Sequence, residues 1–333
     1  MGVGSKRGGF SSERRGAPAV TSRLLLDTSS LMFRAFFSVP QSVVGTDGRP
    51  VNAVYGYLGS VEHLVTTLRP DQTISAWDDD WRPAPRVELY AGYKAQRPPD
   101  PEGLPEQFEV LRDVLDAFGL PIVEAPGWEA EDAIGALCAS AGPRDRTDVV
   151  TGDRDLIQLV RDPAVRVLFT LRGVSQLREL DEAGVLAHFG VPASRYTEFA
   201  LLRGDPSDGL PGVRGVGEKT ARQLVLAYPS IDAMLEDAAR AQPRSKPLKG
   251  APQLRARLRA AAEYLAAVRE VVRIRTEAEV VVRLGARDDA KLDELADQHR
   301  LTGPVGRLRT ALAVSPAPAA VGSAARPRSR RRG

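Results

Sequence analysis

The sequence predicts an α/β fold in which helices flank a mostly parallel sheet on both faces. Short apolar or β-branched runs recur along the first half of the chain, and segments with apolar residues at helical spacing separate them. The runs cover 23–27, 72–77, 121–124, 147–151 and 165–169. Strands that alternate with helices in this way form parallel sheets, because each helix carries the chain back to the same end of the sheet.

The composition is that of a globular protein in a reducing compartment. Of 333 residues, 43% are hydrophobic and 27% are charged. There is no apolar run of about 18 residues and no apolar segment near the start, so we expect a cytoplasmic protein without a membrane span or secretory signal. The single cysteine, Cys138, excludes an internal disulfide framework. We expect disordered tails at 1–22 and 313–333, where Gly, Ser, Pro and Arg lack periodicity.

Acidic residues follow three of the predicted strands at the point where each strand ends. The run that starts at residue 23 ends in Asp27, and the run that starts at residue 72 is followed by Asp78. Asp153 and Asp155 follow the run that starts at residue 147. Ligands bind beyond the carboxyl ends of strands in open parallel sheets, so we expect these carboxylates at one site. For Asp27 alone, a role as a turn residue is equally compatible with the sequence.

Two further acidic groups are expected at the same site. Glu129, Glu131 and Asp132 open a segment with helical spacing, although ordinary helix capping explains one or two of them. Asp205 and Asp208 are spaced to face one point beside a glycine-rich loop.

The rest of the chain is strongly basic. Setting the nine acids named above aside from the net charge of +3 leaves the remaining residues at +12. A basic body of this kind suits a polyanion such as nucleic acid, although charge alone is weak evidence.

Nine carboxylates cannot converge without counter-charge. Two carboxylates about 4 Å apart repel each other by roughly 4 kcal/mol at an effective dielectric constant near 20. Hard divalent cations with oxygen ligands, such as Mg²⁺ with Mn²⁺ as a substitute, are the natural compensation. Two such ions about 4 Å apart can activate a water and stabilise the leaving oxygen of a phosphodiester. The acids therefore predict a two-metal hydrolytic centre.

The segment 81–105 predicts a nucleic-acid contact. Its cations alternate with aromatic residues, a pattern that suits a surface that contacts phosphates and stacks bases; they are Arg82, Arg86, Tyr90, Tyr93, Lys94 and Arg97. The alternative is an ordinary proline-rich connection. Connections of this length are usually functional or disordered.

A glycine-rich stretch, PGVRGVGEKTA, predicts a phosphate-binding hairpin between two helices, the second at 218–227. Gly212, Gly215 and Gly217 let backbone N–H groups approach a phosphate at a helix N-terminus, and Lys219 and Arg222 add positive charge. This pattern favours sequence-independent binding of a DNA backbone. Residues 230–270 are expected to be helical apart from 240–250, and 280–282 is strand-like.

Five segments, in chain order, resemble the motifs of the bacterial 5′-nucleases: LLLDTSSLMFRAFF, WDDDWRPAPRVELYAGYKAQRP, GWEAEDA, VVTGDRDLIQL and RGDPSDGLPGVRGVGEKTARQL. This family includes the nuclease domain of DNA polymerase I and free-standing homologues, and is related to the flap endonucleases. The resemblance covers roughly residues 23–300. It implies a PIN-like core at 23–190, a helical arch at about 81–105, and a helix–hairpin–helix DNA-binding region at 191–312.

The resemblance also implies roles for individual residues. It places one metal near Asp27, Asp78, Glu129, Glu131 and Asp132, and a second near Asp153, Asp155, Asp205 and Asp208. It assigns catalytic roles to Lys94, Arg97 and Arg86, and DNA contacts to Arg34, Tyr93, Gly215, Gly217, Lys219 and Arg222. A potassium ion at the hairpin, a monomeric state, DNA or RNA-primed substrates with a 5′ flap or 5′ end, and a functional link to a separate DNA polymerase are further expectations.

Two positions depart from the family pattern, and two rival functions remain open. Glu131 stands where the family usually has Asp, so its carboxylate reaches one methylene further. Asp78 is favoured as a ligand by its place at the strand end, whereas the spacing to Arg86 would fit Asp79. One rival function is a catalytically silent DNA-structure binder, and the intact carboxylate set argues against it. The other is a PIN-type ribonuclease, and the hairpin argues against that.

Overall fold

The computed structural model describes residues 21–142 and 144–314, which fold around a seven-stranded sheet. The strands are β1 (Ser22–Asp27), β2 (Gln72–Trp77), β3 (Ile122–Glu124), β4 (Arg146–Thr151), β5 (Val165–Thr170), β6 (Leu177–Leu180) and β7 (Val281–Arg283). Their order across the sheet is β6-β5-β4-β1-β2-β3-β7. β1 to β5 run parallel, and β6 and β7 lie antiparallel at the edges. The predicted mostly parallel sheet is confirmed, although the sequence did not predict β6.

Helices connect the strands and cover both faces of the sheet. Within the described residues they are α1 (Thr28–Ser38), α2 (Asn52–Leu68), α3 (Ala84–Leu89), α4 (Leu104–Phe118), α5 (Ala130–Ala139), α6 (Glu182–Phe189), α7 (Tyr196–Arg203), α8 (Glu218–Ala227), α9 (Ile231–Ala239), α10 (Pro252–Ala260), α11 (Ala262–Val272), α12 (Asp289–Gln298) and α13 (Thr302–Val314). Short 3-10 turns at Asp155–Leu159 and Pro206–Asp208 carry further acids. Most of the tails predicted as disordered lie outside the described residues. The exceptions are residues 21–22, at the start of β1, and 313–314, at the end of α13, and these are not disordered.

The leucines of β1 show why the sheet is covered on both faces. Leu24 and Leu26 pack in a core cluster with Leu58 of α2, whereas Leu25 packs on the opposite side with Ala133 of α5. Because successive side chains of a strand point to opposite faces, a continuous apolar run requires burial on both sides. The central strand therefore ends in the protein interior, and Asp27 at its end is only 7% exposed.

The C-terminal part of the described chain returns to the first half of the protein. β7 pairs with β3, and Leu292 of α12 and Leu308 of α13 join the core cluster that contains Leu58. Residues 281–314, most of which fall in the predicted DNA-binding region at 191–312, therefore pack on the sheet and its helices. Short-range patterns do not indicate which elements these residues pack against, because the contacts join residues more than 150 positions apart.

The predicted arch at 81–105 carries one short helix, α3, followed by turns. It lies against the 3-10 turn at Pro206–Asp208: the Lys94 backbone N–H donates to the Asp208 carbonyl oxygen at 2.9 Å. The Gln96 side-chain amide donates to the carbonyl oxygens of Pro206 and Ser207 at 3.0 and 3.1 Å. The arch segment thus covers the acidic residues. No helix in the described part of the chain is long and apolar enough to cross a membrane.

Candidate active site

Thr151, the last residue of β4, connects the end of β1 to the turn that follows β4. Asp27 caps α1 by accepting a hydrogen bond from the Ser30 N–H at 3.1 Å. Its other oxygen accepts from the Thr151 hydroxyl at 2.6 Å, and the same hydroxyl accepts from the Asp153 N–H at 2.8 Å. Asp27 is therefore a helix cap and a site residue at once. Sequence reasoning missed Thr151 and Ser30, whose places at a strand end and in a helix's first turn were the available signals.

Asp78 and Asp79 point to different places. The Asp78 carboxylate accepts from the Ser29 hydroxyl at 2.5 Å and from the Ala130 N–H at 2.8 Å, and its charge contributes to the raised pKa of Asp27. The Asp79 carboxylate accepts from the Gly127 N–H at 2.6 Å and so holds the turn before α5. This geometry favours Asp78 as the residue that faces the site.

Two groups of carboxylates share Glu131. One contains Glu129, Glu131 and Asp132, and the other contains Glu131, Asp153 and Asp155; in each group the oxygens lie within 4.8 Å of one another. α5 supplies the first group from its N-terminus, and the turn after β4 supplies the other aspartates. Glu131 belongs to both because α5, which follows the parallel strand β3, begins at the same edge of the sheet as the turn after β4.

Asp205 and Asp208 reach this centre from the 3-10 turn after α7. Asp208 is 6% exposed and accepts from an Arg97 Nη at 2.7 Å. Charge on Asp208, and more weakly on Asp205, raises the pKa of Asp153 and Asp155, which places all four carboxylates in one electrostatic environment. Of the nine acids that the sequence singled out, five lie in the two carboxylate groups, and Asp27, Asp78, Asp205 and Asp208 lie outside them.

Three residues of the arch segment are buried against the acids. Arg86 is fully buried and forms ion pairs with Glu129, with Glu131 at 2.9 Å and with Asp132 at 2.9 Å. Lys94 pairs with Glu129, whose other oxygen accepts from the Tyr93 hydroxyl at 2.7 Å. In this state none of the three is exposed to a DNA strand.

Asp132 has little capacity left for a metal ion. One oxygen accepts from Arg86 at 2.9 Å and from the Arg275 N–H at 2.8 Å, and the other accepts from the Glu129 N–H at 3.3 Å. Its side chain is completely buried. These contacts fix the start of α5 and suit a residue that positions Glu129 and Glu131. Arg275 was missed, because nothing in the local sequence links it to a site more than a hundred residues earlier.

The predicted DNA-contact residues fall into two groups. Gly215, Gly217 and Lys219 are exposed, and Gly217 is the N-cap of α8. Arg222 is half-buried and donates to the Phe189 carbonyl oxygen at 2.8 Å, whereas Arg34 donates to the carbonyl oxygens of Thr170 and Leu171. The helix predicted before the hairpin, α7, ends at Arg203, and the loop at 204–217 holds a 3-10 turn before the glycines.

The electrostatics of the centre fit a divalent cation. Burial and neighbouring carboxylates raise the pKa of Asp27 to about 7. Burial, followed by the charges of Asp132 and Asp153, raises the pKa of Glu131 to about 8 against the opposing effect of Arg86. The pKa values of Asp153 and Asp155 are also raised, chiefly by burial. The protein's own cations leave negative charge uncompensated, and oxygen ligands of this kind are those that Mg²⁺ and Mn²⁺ prefer.

We expect the metal-free protein to lose stability as pH rises from about 4 to about 8. Asp27 and Glu131 keep their protons to a higher pH in the folded state than in the unfolded chain. Their stabilising effect is therefore complete below the pKa values of the unfolded chain and is lost as pH rises through the pKa values of the folded state. Metal binding should restore stability, and more at pH 8 than at pH 6. Thermal unfolding with EDTA or MgCl₂ at both pH values measures this. An increase in melting temperature that is independent of pH would contradict it.

A group of carboxylates at the carboxyl ends of parallel strands suits divalent metal ions that act on a phosphodiester. The fold and the site therefore define the protein as an α/β nuclease. Comparison with known families is more specific. The model of the 5′-3′ exonuclease N-terminal resolvase-like domain matches residues 22–190, and that of the 5′-3′ exonuclease C-terminal SAM fold matches residues 191–298. The chain belongs to the 5′-3′ exonuclease family, as its motifs predicted.

Two relatives of similar length and one longer relative support membership of this family. A 5′-3′ exonuclease of Mycobacterium tuberculosis is 42% identical over 318 residues, which span 88% of this chain and 98% of that protein. A 5′-3′ exonuclease of Streptomyces coelicolor is 44% identical over 307 residues, 87% of this chain and 99% of that protein. The thermostable DNA polymerase I of Thermus filiformis is 36% identical over 257 residues, which span 76% of this chain and 28% of the polymerase.

Solved structures confirm the expected PIN-like fold. T5 5′-exonuclease with bound zinc ions has a TM-score of 0.60 at 19% identity, covering 88% of this chain and 99% of that one. Flap endonuclease-1 from Methanococcus jannaschii has a TM-score of 0.54 at 18% identity, covering 88% of this chain and 93% of that one. At these identities the similarity shows the fold alone, while the family membership confirms a 5′-3′ nuclease.

Proposed function

We propose that the protein is a structure-specific 5′-3′ exonuclease and flap endonuclease that hydrolyses phosphodiesters at single-strand/duplex junctions in DNA replication and repair. The observation that carries this proposal is the sharing of Glu131 between two carboxylate groups. Two metal ions about 4 Å apart form the usual centre for hydrolysis of a phosphodiester. A carboxylate that belongs to both groups suits such a pair, and the cations of the arch segment lie directly beside it.

Two Mg²⁺ ions, with Mn²⁺ as a substitute, are the proposed cofactors. The first would be held among Asp27, Asp78, Glu129, Glu131 and Asp132, and the second among Asp153, Asp155, Asp205 and Asp208. Bound there, divalent ions lower the pKa of a coordinated water and stabilise charge on the phosphate oxygens. Within the first set, Asp132 acts mainly by holding Arg86 and the start of α5 in place. A potassium ion is proposed at the hairpin of Gly215 and Gly217.

The cations of the arch segment have different proposed roles. Arg97 is about one third exposed and Lys94 lies within a turn, so we propose that both move from their carboxylates to the substrate phosphate once metal ions neutralise the acids. Tyr93 would then be freed to contact the DNA strand. Arg86 has no exposed surface, so it is proposed to orient Glu129 and Glu131 without touching the substrate.

The proposed substrate is DNA with a 5′ flap or 5′ end, including one that carries an RNA primer. The exposed glycine hairpin and Lys219 would hold the duplex through its phosphates, independently of sequence. We propose that the protein acts as a monomer in the cytoplasm. Its similarity to the nuclease region of DNA polymerase I supports a functional link to a separate polymerase.

Cleavage of matched substrates tests the proposal. The substrates are a 5′-labelled DNA flap, the same duplex without a flap, the same flap with ribonucleotides at its 5′ end, and single-stranded RNA, each with MgCl₂ or EDTA. We expect Mg²⁺-dependent products that map to the junction of the flap. Cleavage of single-stranded RNA in preference to the flap would support the ribonuclease. Binding of flap DNA without cleavage in Mg²⁺ or Mn²⁺ would support the silent binder and overturn the proposal.

A further inference from the structure

The glycine hairpin, residues 212–217, has a neighbour that its motif does not contain. α10 carries three arginines at alternate positions, Arg255, Arg257 and Arg259. Arg255 and Arg259 are four residues apart on one face of the helix, and both donate to carbonyl oxygens at the C-terminal end of α9, including that of Ala238. They satisfy carbonyl groups that a helix end leaves without partners. Arg257 lies on a different face.

Arg257 lies directly over the hairpin. Gly215 has a φ of +71°, a conformation that favours glycine. A Cβ atom added to Gly215 would collide with the Nη1 atom of Arg257 and crowd its Cζ atom. The guanidinium group therefore occupies the space that a side chain at position 215 would need. Glycine at this position serves two purposes, because it allows the turn and leaves room for the arginine.

The Arg257 guanidinium has no hydrogen-bond acceptor or carboxylate within the parts of the chain that the structure describes. Its side chain is exposed and takes part in none of the ion pairs or hydrogen bonds found for residues 21–142 and 144–314. Glu218, the acid next to the hairpin, lies toward Arg203, with an N–O distance of 3.8 Å. An unpaired guanidinium thus lies beside Gly215, in the loop that leads into the N-terminus of α8, and a cation near a helix N-terminus favours a phosphate.

We propose that Arg257 binds the same DNA phosphate as the glycine hairpin and completes that site from α10. This inference rests on the proposed binding of duplex DNA. The planar guanidinium lies beside Gly215, so it and N–H groups of the hairpin can donate to different oxygens of one phosphate. Lys219 contributes charge from α8. The contact involves the DNA backbone alone, so it contributes affinity without sequence preference.

The salt dependence of DNA binding tests this proposal. Affinity for duplex DNA with a 5′ flap is measured by fluorescence anisotropy in EDTA, from about 50 to 200 mM salt, for the wild type and for Arg257→Ala. We expect about tenfold weaker binding and a log–log salt slope reduced by about 0.9, the value for one lost phosphate contact. Arg257→Lys keeps the charge, so it should retain the slope and recover part of the affinity.

Arg259→Ala is the matched control, because it removes an arginine from the same helix that contacts a carbonyl oxygen of the protein. Its salt slope should equal that of the wild type. Thermal unfolding of each variant checks that the fold is intact. An unchanged slope for Arg257→Ala, or an equal reduction for Arg259→Ala, would overturn the proposal. If the wild type binds DNA with an Arg257-dependent slope but cleaves no flap in Mg²⁺, the proposed function fails and this inference stands.

Discussion

Replacing Asp155 with Asn is expected to abolish cleavage of a 5′-flap substrate, with a loss of at least about 1000-fold, since a carboxylate of the proposed metal centre is removed. The Asp155 carboxylate lies in the same group as those of Glu131 and Asp153. Asn has nearly the same shape, but it is neutral and offers one oxygen in place of two, so it holds a divalent ion poorly. Asp153→Asn should have the same effect.

DNA affinity in EDTA should remain within about twofold of the wild-type value for both variants, because the phosphate contacts come from other residues. The backbone N–H of Asp155 donates to the Asp153 carboxylate at 2.8 Å, and the Asp155→Asn substitution keeps that contact. Asp79→Asn is the matched control, since Asp79 holds the turn at Gly127 and lies outside both carboxylate groups. Normal flap cleavage by either Asp155→Asn or Asp153→Asn would refute the assignment of these residues.

Much of the site could be predicted because its signals are local. Apolar runs that end in acids identify strand ends, and parallel strands bring those ends to one edge of the sheet. The choice between Asp78 and Asp79 could not be made in this way, because adjacent residues share the same local pattern. Contacts with Ser29 and Ala130, each about fifty positions away in the chain, distinguish the two.

The surroundings of the arch segment could not be predicted from the sequence. Cations among prolines and aromatic residues suggested an exposed nucleic-acid surface, whereas Arg86 and Lys94 are buried beside acids that follow them by more than thirty positions. The buried carboxylates attract these positive groups, and that attraction is not visible in the local sequence. Likewise, the return of α12 and α13 to the sheet depends on contacts of long range, for which periodicity carries no information.

Arg86 is expected to be the largest single contributor to the stability of the centre. Replacing it with Met removes the cation that pairs with Glu129, Glu131 and Asp132, and leaves buried carboxylates without their partner. Removal of one partner from a buried ion pair costs about 3–5 kcal/mol. We therefore expect the free energy of unfolding, measured by urea denaturation in EDTA, to fall by about this amount.

The control for Arg86→Met is Arg97→Met, which breaks a pair that is about one third exposed on the arginine side. Its expected cost is at most about 1 kcal/mol, because solvent screens the charges. Adding Asp132→Asn to Arg86→Met should recover part of the lost stability, since it removes one of the unpaired charges. If Arg86→Met lowers the free energy of unfolding no more than Arg97→Met does, Arg86 does not compensate the charge of the acids.

The pH dependence separates loss of charge from loss of packing in Arg86→Met. Without the guanidinium, the pKa values of Glu131 and Asp132 rise further, because Arg86 is the largest influence that lowers them. The variant should then be closest to the wild type near pH 6, where Glu131 is protonated in both proteins, and furthest from it near pH 9, where only the wild-type Glu131 has ionised. Mg²⁺ should reduce the difference at pH 9, since a bound cation supplies the missing charge. A packing defect alone would give the same cost at both pH values.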